Sequence, residues 1–409
     1  MKYLLIFFVF GMAVLQAQQM QQLGFRFAEG KSNIRIPMEI KNNLIVIPVV
    51  INGQLPLKFI LDTGVRTTIL TEKSYSDILG LTYSRQYTIA GPGGEHLISA
   101  YVTNNVSLFI PPGIVGTGHA MLVLEKDYLE LRNYLGAEVH GVLGYELFSR
   151  FVVEINYQEK YVELMDPSKF KPKRKFQTVS ISIEDTKPFI TTTVISTKSK
   201  NLKLLVDTGA SHSLMLDPES DRDIQIPEPN IKAIIGRALG GEITGKIGRI
   251  KEVHLNKFIL REVIANYPDP NSYMDTLKAS SVYRNGSLGG EILSRFTVIF
   301  DYSGSKMYLK KNPSFKKEFD YNLSGLTIKA KGSKLRVFEV IEVRKNSVSE
   351  KAEFLAGDLI VSINGVPASG FDLNELTGEL NSKAGRRLGI VVDRNGTKIK
   401  KILVLEKEI

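Results

Sequence analysis

The chain has 409 residues, 43% hydrophobic and 23% charged, with 34 glycines, no cysteine and a formal net charge of +10. That length exceeds one compact core and implies two or three domains. The missing cysteine excludes a disulfide framework, a thiol nucleophile and a lipid-anchored cysteine. The lysines and arginines are spread along the chain without interleaved aromatics, so no nucleic-acid partner is expected. Short runs rich in Val, Ile, Thr and Tyr, separated by glycines, predict a mostly β protein.

At the amino terminus Lys2 is followed by an apolar run from Tyr3 to Leu15 and then by Ala17. A short apolar region ending in a small residue is the pattern of a secretory signal peptide, here residues 1–17. Leu15, two before Ala17, departs from the small residue usual there. The run falls short of the ~20 apolar residues of a membrane-spanning helix. No second long run follows, so no integral membrane span is expected once the signal is removed. An exported, cysteine-free chain points to the periplasm or exterior of a bacterium.

The stretch "FILDTGVRTTIL" (59–70) reads as a buried strand, then Asp62-Thr63-Gly64, then the start of a second strand at Ile69 and Leu70. On its own it supports two readings. Asp, Thr and Gly are ordinary turn residues, and an aspartate leaving a buried strand also suits a carboxylate held in a low-dielectric cleft for proton chemistry. Next comes "YTIAGPGGEHLISAYV" (87–102), a strand, a glycine turn and a second strand, hence a mobile hairpin. A phosphate loop would need a helix directly after the glycines, whereas Ile98 and Val102 continue as strand. "LGYELFSRFVVEINY" (143–157) opens as a strand-to-helix turn with glycine for close packing. "KFKPKRKF" (169–176), with Pro172 inside a run of cations, reads as a solvated linker.

The same order then recurs. "LLVDTGASHSLM" (204–215) repeats the first motif, "AIIGRALGGEITGKIGRI" (233–250) the hairpin, and "LGGEILSRFTVIFDY" (288–302) the third. Asp62 and Asp207 stand 145 residues apart, as do Gly144 and Gly289. Eight of the fifteen paired positions in the third motif are identical, among them Glu146/Glu291, Ser149/Ser294, Arg150/Arg295 and Phe151/Phe296. Two separated motifs kept at one offset mark an internal duplication.

Asp-Thr-Gly leaving an apolar strand, a glycine hairpin, and two apolar residues before a glycine, in that order and twice, resemble the retropepsin-like aspartic peptidases. The resemblance covers roughly residues 40–310, with both halves fused in one chain as in pepsin-like enzymes. It implies a mostly β fold of two duplicated β-barrel lobes, residues 18–168 and 177–312, joined by the linker 169–176. It also implies an aspartic endopeptidase acting on a peptide or protein substrate, with no cofactor or metal and a monomeric active unit. Asp62 and Asp207 would be the catalytic pair. Two carboxylates about 3 Å apart cannot both ionise cheaply, so they share a proton; one can then take a proton from water while the other protonates the substrate carbonyl. Thr63 and Thr208 would lock the two loops together, and Gly64 and Gly209 would give room beside the carboxylates. The glycines Gly93, Gly94, Gly240 and Gly241 would tip flaps that close over an extended peptide.

The first copy departs from the family in Val65 and Arg66. An arginine close to the pair would lower its affinity for protons. Neither Tyr87 nor Tyr101 has the spacing of the flap tyrosine in pepsin-like enzymes. His96, His119, His140, His212 and His254 form no zinc motif, and His212 reads as structural or exposed. Ser211 and Ser213 lack a Gly-x-Ser-x-Gly elbow.

After residue 320 the repeat gives way to a different unit. Ala356-Gly357-Asp358, Ile360 and Ile363-Asn364-Gly365 resemble a PDZ domain, particularly those attached to bacterial proteases, over residues 320–409. The resemblance places Leu323, Ser324, Gly325 and Leu326 in the loop that receives a peptide carboxylate, with the next strand pairing with the peptide. Leu373, Leu376 and Leu380 in "FDLNELTGEL" are spaced for an amphipathic helix beside that groove. A groove that is occluded, or that merely packs on the protease, is the other reading. The whole chain thus reads as an exported endopeptidase with a small α+β PDZ domain for peptide or protein C-termini. A catalytically inactive, protease-like peptide-binding scaffold is the alternative.

Overall fold

The computed structural model describes residues 23–90, 97–238, 241–270 and 282–409. The expected signal segment 1–17 and the hairpin glycines Gly93, Gly94 and Gly240 lie outside them. The described chain is mostly β, in two duplicated lobes followed by a smaller carboxy-terminal unit.

In the first lobe the apolar run Leu44–Ile51 pairs antiparallel with Leu55–Leu61. Its side chains alternate between two cores, as a strand covered on both faces must. Ile45, Ile47, Val49 and Ile51 enter the main core, while Leu44 and Val46 join a smaller cluster with Leu135, Val139 and Val142. The chain leaves this sheet at Leu61 and returns as Thr68–Leu70. Strand Gly141–Leu143 inserts between the two, parallel to Leu55–Leu61 and antiparallel to Thr68–Leu70. The second lobe repeats the device, with Gly286–Leu288 between Ser199–Val206 and Leu214–Leu216. This insertion explains why the third motif travels with the first. Asp62 N–H donates to Leu143 O and Asp207 N–H to Leu288 O, each at 2.9 Å.

The motif's glycine follows from the same geometry. A Cβ on Gly144 would sit 2.2 Å from Val65 O and 2.4 Å from Asp62 O, and one on Gly289 would sit 2.2 Å from His212 O. No side chain fits where the aspartate loop crosses so closely.

The lobes meet in a six-stranded sheet in which Val152–Asn156 pairs antiparallel with Phe296–Asp301. Val153 faces Phe300 and Ile155 faces Val298. Phe300 is the duplicate of Ile155 and Val298 that of Val153, so the strand pairs with its own copy about a local two-fold axis. One continuous apolar cluster runs through this sheet and both lobes. The basic segment 169–176 lies along it: Lys173 Nζ reaches the buried carboxylate of Glu154 at 3.0 Å, and Phe176 packs against Val152, Ile299 and Tyr308.

Each expected hairpin is present. Tyr83–Ala90 pairs with Leu97–Ile110, and Asn230–Ala238 with Gly241–Leu255. Gly241 takes a φ of +130°, a conformation that favours glycine.

The carboxy-terminal unit has a core of its own. Its main sheet runs in the order Leu326–Lys331, Val337–Val343, Leu359–Ile363, Arg387–Arg394, Thr397–Val404, which leaves Leu326–Lys331 at an edge. Helix Leu373–Leu380 starts with a capping box of Asp372 and Glu375 and buries Leu373, Leu376 and Leu380, as their spacing predicts. Among the described residues no helix is long and apolar enough to cross a membrane.

Candidate active site

The two Asp-Thr-Gly turns meet at the two-fold axis, and the threonines hold them there. Thr63 N–H donates to Thr208 Oγ1 and Thr208 N–H to Thr63 Oγ1, both at 3.0 Å. Thr63 Oγ1 donates onward to Val206 O at 2.6 Å, and Thr208 Oγ1 to Leu61 O at 2.8 Å. Both threonines are fully buried, so each hydroxyl must find a partner, and the reciprocal arrangement satisfies four groups at once.

This grip brings Asp62 and Asp207 together. Gly64 N–H donates to Asp62 Oδ1 at 2.6 Å, and Gly209 N–H to Asp207 Oδ1 at 2.9 Å. Both carboxyls converge on Gly64, where a Cβ would lie 3.1 Å from Asp62 Oδ1 and 3.4 Å from Asp207 Oδ1. The contact is tighter at Gly209, where a Cβ would fall 2.1 Å from Asp62 Cγ. The two carboxyls lie close enough for each to act on the other's hold on its proton. Burial, and then the Asp207 charge, push the Asp62 carboxyl well above the ordinary carboxylate range. Burial raises Asp207 as well, against the Gly209 amide and the positive charges of Arg284 and Lys187. Such a pair retains one proton where an exposed carboxylate has lost it.

Arg66 behaves differently from the expectation. Its side chain is 70% exposed and faces Asp185 Oδ1 at 3.7 Å. The cations that act on the pair are Lys187 and Arg284. They escape sequence reading because each comes from a segment remote from both aspartates. The contact of Arg66 with Asp185 has a counterpart across the axis. There, Asn43 Nδ2 donates to the Ser211 carbonyl at 3.1 Å, so the first hairpin turn of each lobe touches the aspartate loop of the other.

The repeated glutamates were legible as repeats but not as parts of the site. Glu146 accepts from Thr68 Oγ1 at 3.3 Å, and Glu291 accepts from Ser213 Oγ at the duplicated position. Each ties the short helix after its glycine to the strand that follows an aspartate loop. His119 Nδ1 also lies 2.8 Å from Glu146 Oε2. His212 Nε2 lies 2.9 Å from Ser287 Oγ, and burial pulls its pKa down to about 4, so it is a neutral structural residue. Tyr302, buried behind the pair, keeps its phenolic proton through burial and the nearby carboxylates. A cleft of about 620 Å³ opens behind the second aspartate loop, lined in part by Asn43, Tyr157, Ser211 and Asn381. It contains neither carboxylate.

An aspartyl protease family model matches residues 47–147 and again 192–292, spanning both Asp-Thr-Gly turns, and a PDZ domain model matches residues 339–394. The chain is a two-lobed, retropepsin-like member of the aspartyl protease family with a PDZ domain. No curated protein matches it.

Of the expected site residues, the structure brings Asp62, Thr63, Gly64, Asp207, Thr208 and Gly209 into one cluster, and Gly241 sits at the end of the second hairpin. Leu323, Ser324 and Gly325 lie just before the edge strand of the PDZ domain, and Leu326 opens it. Three of their amides are already paired: Leu323 N–H with Asn381 Oδ1 at 2.9 Å, Gly325 N–H with Asn322 Oδ1 at 3.0 Å, and Leu326 N–H with Ser324 Oγ at 3.2 Å.

Proposed function

We propose that this protein is an aspartic endopeptidase that hydrolyses peptide bonds with a water activated between Asp62 and Asp207. The observation that carries the reading is the pair of carboxyls converging on the two-fold axis, each oriented by a glycine amide. In the ground state the pair carries one proton. The ionised carboxylate takes a proton from the water as its oxygen attacks the scissile carbonyl carbon, and the protonated partner gives its proton to the carbonyl oxygen. As the tetrahedral diol collapses, one diol hydroxyl gives its proton to the ionised carboxylate, the nitrogen takes a proton from the other carboxyl and the C–N bond breaks, so the pair ends with one shared proton. The two hairpins would hold the substrate as an added strand.

The PDZ domain would bring peptide or protein chains to this unit. The reading extends to an exported protein, supported by Lys2 and the apolar run from Tyr3 to Leu15. The mass of the mature amino terminus tests that part. The activity is tested by peptide-library cleavage across pH with the native chain, Asp62→Asn and Asp207→Asn. Cleavage by the native chain alone is the expected result. Equal cleavage by both variants would exclude the pair, and no cleavage by any of the three would favour a peptide-binding scaffold.

A further inference from the structure

The peptide groove of the PDZ domain is already covered by the first lobe. A PDZ groove lies between the edge strand, here Leu326–Lys331, and the helix, here Leu373–Leu380, and takes an extended peptide along the free strand edge. In this structure the segment from Glu130 to Gly136, which contains the short helix Leu131–Leu135, sits on that edge. Asn133 Nδ2 donates to Ala330 O at 2.7 Å, and Arg132 Nη2 to Ser333 O at 2.8 Å. Lys329 Nζ lies 3.0 Å from Glu130 Oε2. Gly136 meets the helix so closely that a Cβ there would be 2.4 Å from Leu373 Cβ.

The same segment reaches the second lobe's hairpin. Tyr134 OH accepts a hydrogen bond from Arg237 Nη2, and the Arg237 guanidinium lies 4.3 Å from the Tyr134 ring centre. Arg237 is on strand Asn230–Ala238 and also pairs with Glu242 on the returning strand at 2.7 Å. A second route starts from the groove helix. Asn374 Nδ2 donates to Ile40 O at 3.4 Å, and Lys41 pairs with Asp372 at 3.5 Å. Ile40 and Lys41 precede the turn whose Asn43 holds the Ser211 carbonyl.

We infer that residues 130–136 form an internal plug in the PDZ groove, and that an extended peptide pairing with Leu326–Lys331 displaces it and thereby loosens the second lobe's hairpin. A peptide strand and the Asn133 side chain compete for one carbonyl, Ala330 O, so both cannot be seated together. The consequence for catalysis rests on the protease reading; the plug and its tie to the hairpin do not.

Hydrogen–deuterium exchange of the full chain tests this without any activity. In Arg132→Ala/Asn133→Ala, both side-chain hydrogen bonds to the edge strand and its turn are lost, so residues 326–331 and residues 230–238 should both exchange at least roughly tenfold faster. Tyr134→Ala should speed exchange at 230–238 while 326–331 stays protected. The strands Val152–Asn156 and Phe296–Asp301 should remain protected in all variants, which checks the fold, and Asn133→Ala alone is the milder substitute if the double variant fails that check. Unchanged exchange at 326–331 would overturn the plug, and unchanged exchange at 230–238 would overturn the coupling. A phage library of random carboxy-terminal heptapeptides supplies the ligand probe. Enrichment at least roughly tenfold stronger on the unplugged variant is expected; equal enrichment, or none on either protein, would overturn the displacement.

Discussion

At the scale of single residues, the site depends on two glycines that are not equivalent. The Asp62 carboxyl leans over Gly209, whereas at Gly64 a Cβ would be tight against Asp62 Oδ1, at 3.1 Å, and in ordinary contact with Asp207. Gly209→Ala should therefore lower kcat roughly a hundredfold or more by pushing Asp62 aside, while Gly64→Ala costs about tenfold or less. Steady-state kinetics on one peptide substrate distinguishes them. The raised Asp62 carboxyl also has a stability signature. A group whose folded-state pKa lies above its unfolded value stabilises the fold below the unfolded pKa, and that contribution is lost as pH rises through the folded value. Asp62→Asn keeps an oxygen for the Gly64 amide and removes the charge. Its Tm should match that of the native chain at acidic pH and exceed it increasingly towards neutrality, in thermal melts over that range. Lys187 and Arg66 form a third contrast. Lys187 lowers the proton affinity of the pair, so Lys187→Met should move the alkaline limb of the kcat/KM profile to higher pH. Arg66→Ser should leave it in place, since the exposed Arg66 contacts Asp185 instead.

At the scale of elements, the working unit is an aspartate loop clamped by a strand drawn from eighty residues further along the chain. The sequence carries the parts of this unit as a recurring order, Asp-Thr-Gly and then Leu-Gly-x-Glu, but not their pairing. A residue string cannot state that Leu143 lies beside Leu61; that follows only once Gly141–Leu143 slots between two other strands. The threonine grip has the same character. The family resemblance implied that Thr63 and Thr208 lock the loops together, and their four buried hydrogen bonds are a property of the lobes' contact. Thr208→Ala strands Leu61 O and Thr63 N–H without partners and should cost roughly 2–4 kcal/mol. Thr208→Ser keeps the hydroxyl and should cost about 1 kcal/mol for the lost methyl group. Denaturant melts of the two variants, with peptidase activity alongside, measure the difference.

At the scale of the whole molecule, the strand Val152–Asn156 pairs with the duplicate of itself inside one chain. A site assembled from two identical chains would need that edge to bind the second chain, and here it is already occupied. Mixing Asp62→Asn chains with Asp207→Asn chains should therefore restore no cleavage, because neither chain can lend its intact aspartate to the other. Restored activity on mixing would show a site assembled between chains.

The amino-acid sequence by itself determined the duplication, the paired Asp-Thr-Gly turns, the β class and the PDZ unit. The first three rest on local chemistry, a glycine where backbones cross and an apolar period of two, in motifs repeated at a fixed interval; the PDZ unit rests on the resemblance carried by Ala356-Gly357-Asp358 and Ile363-Asn364-Gly365. Tertiary structure alone decided the rest. Burial dominates at the carboxyl pair, and the cations that act against it are Lys187 and Arg284 rather than the adjacent Arg66, because electrostatic influence follows distance through space and burial, not position along the chain. The repeated glutamates became clamps, and the plug over the PDZ groove emerged, for the same reason: Asn133 and Ala330 are 197 residues apart and meet only when two separately folded surfaces pack together.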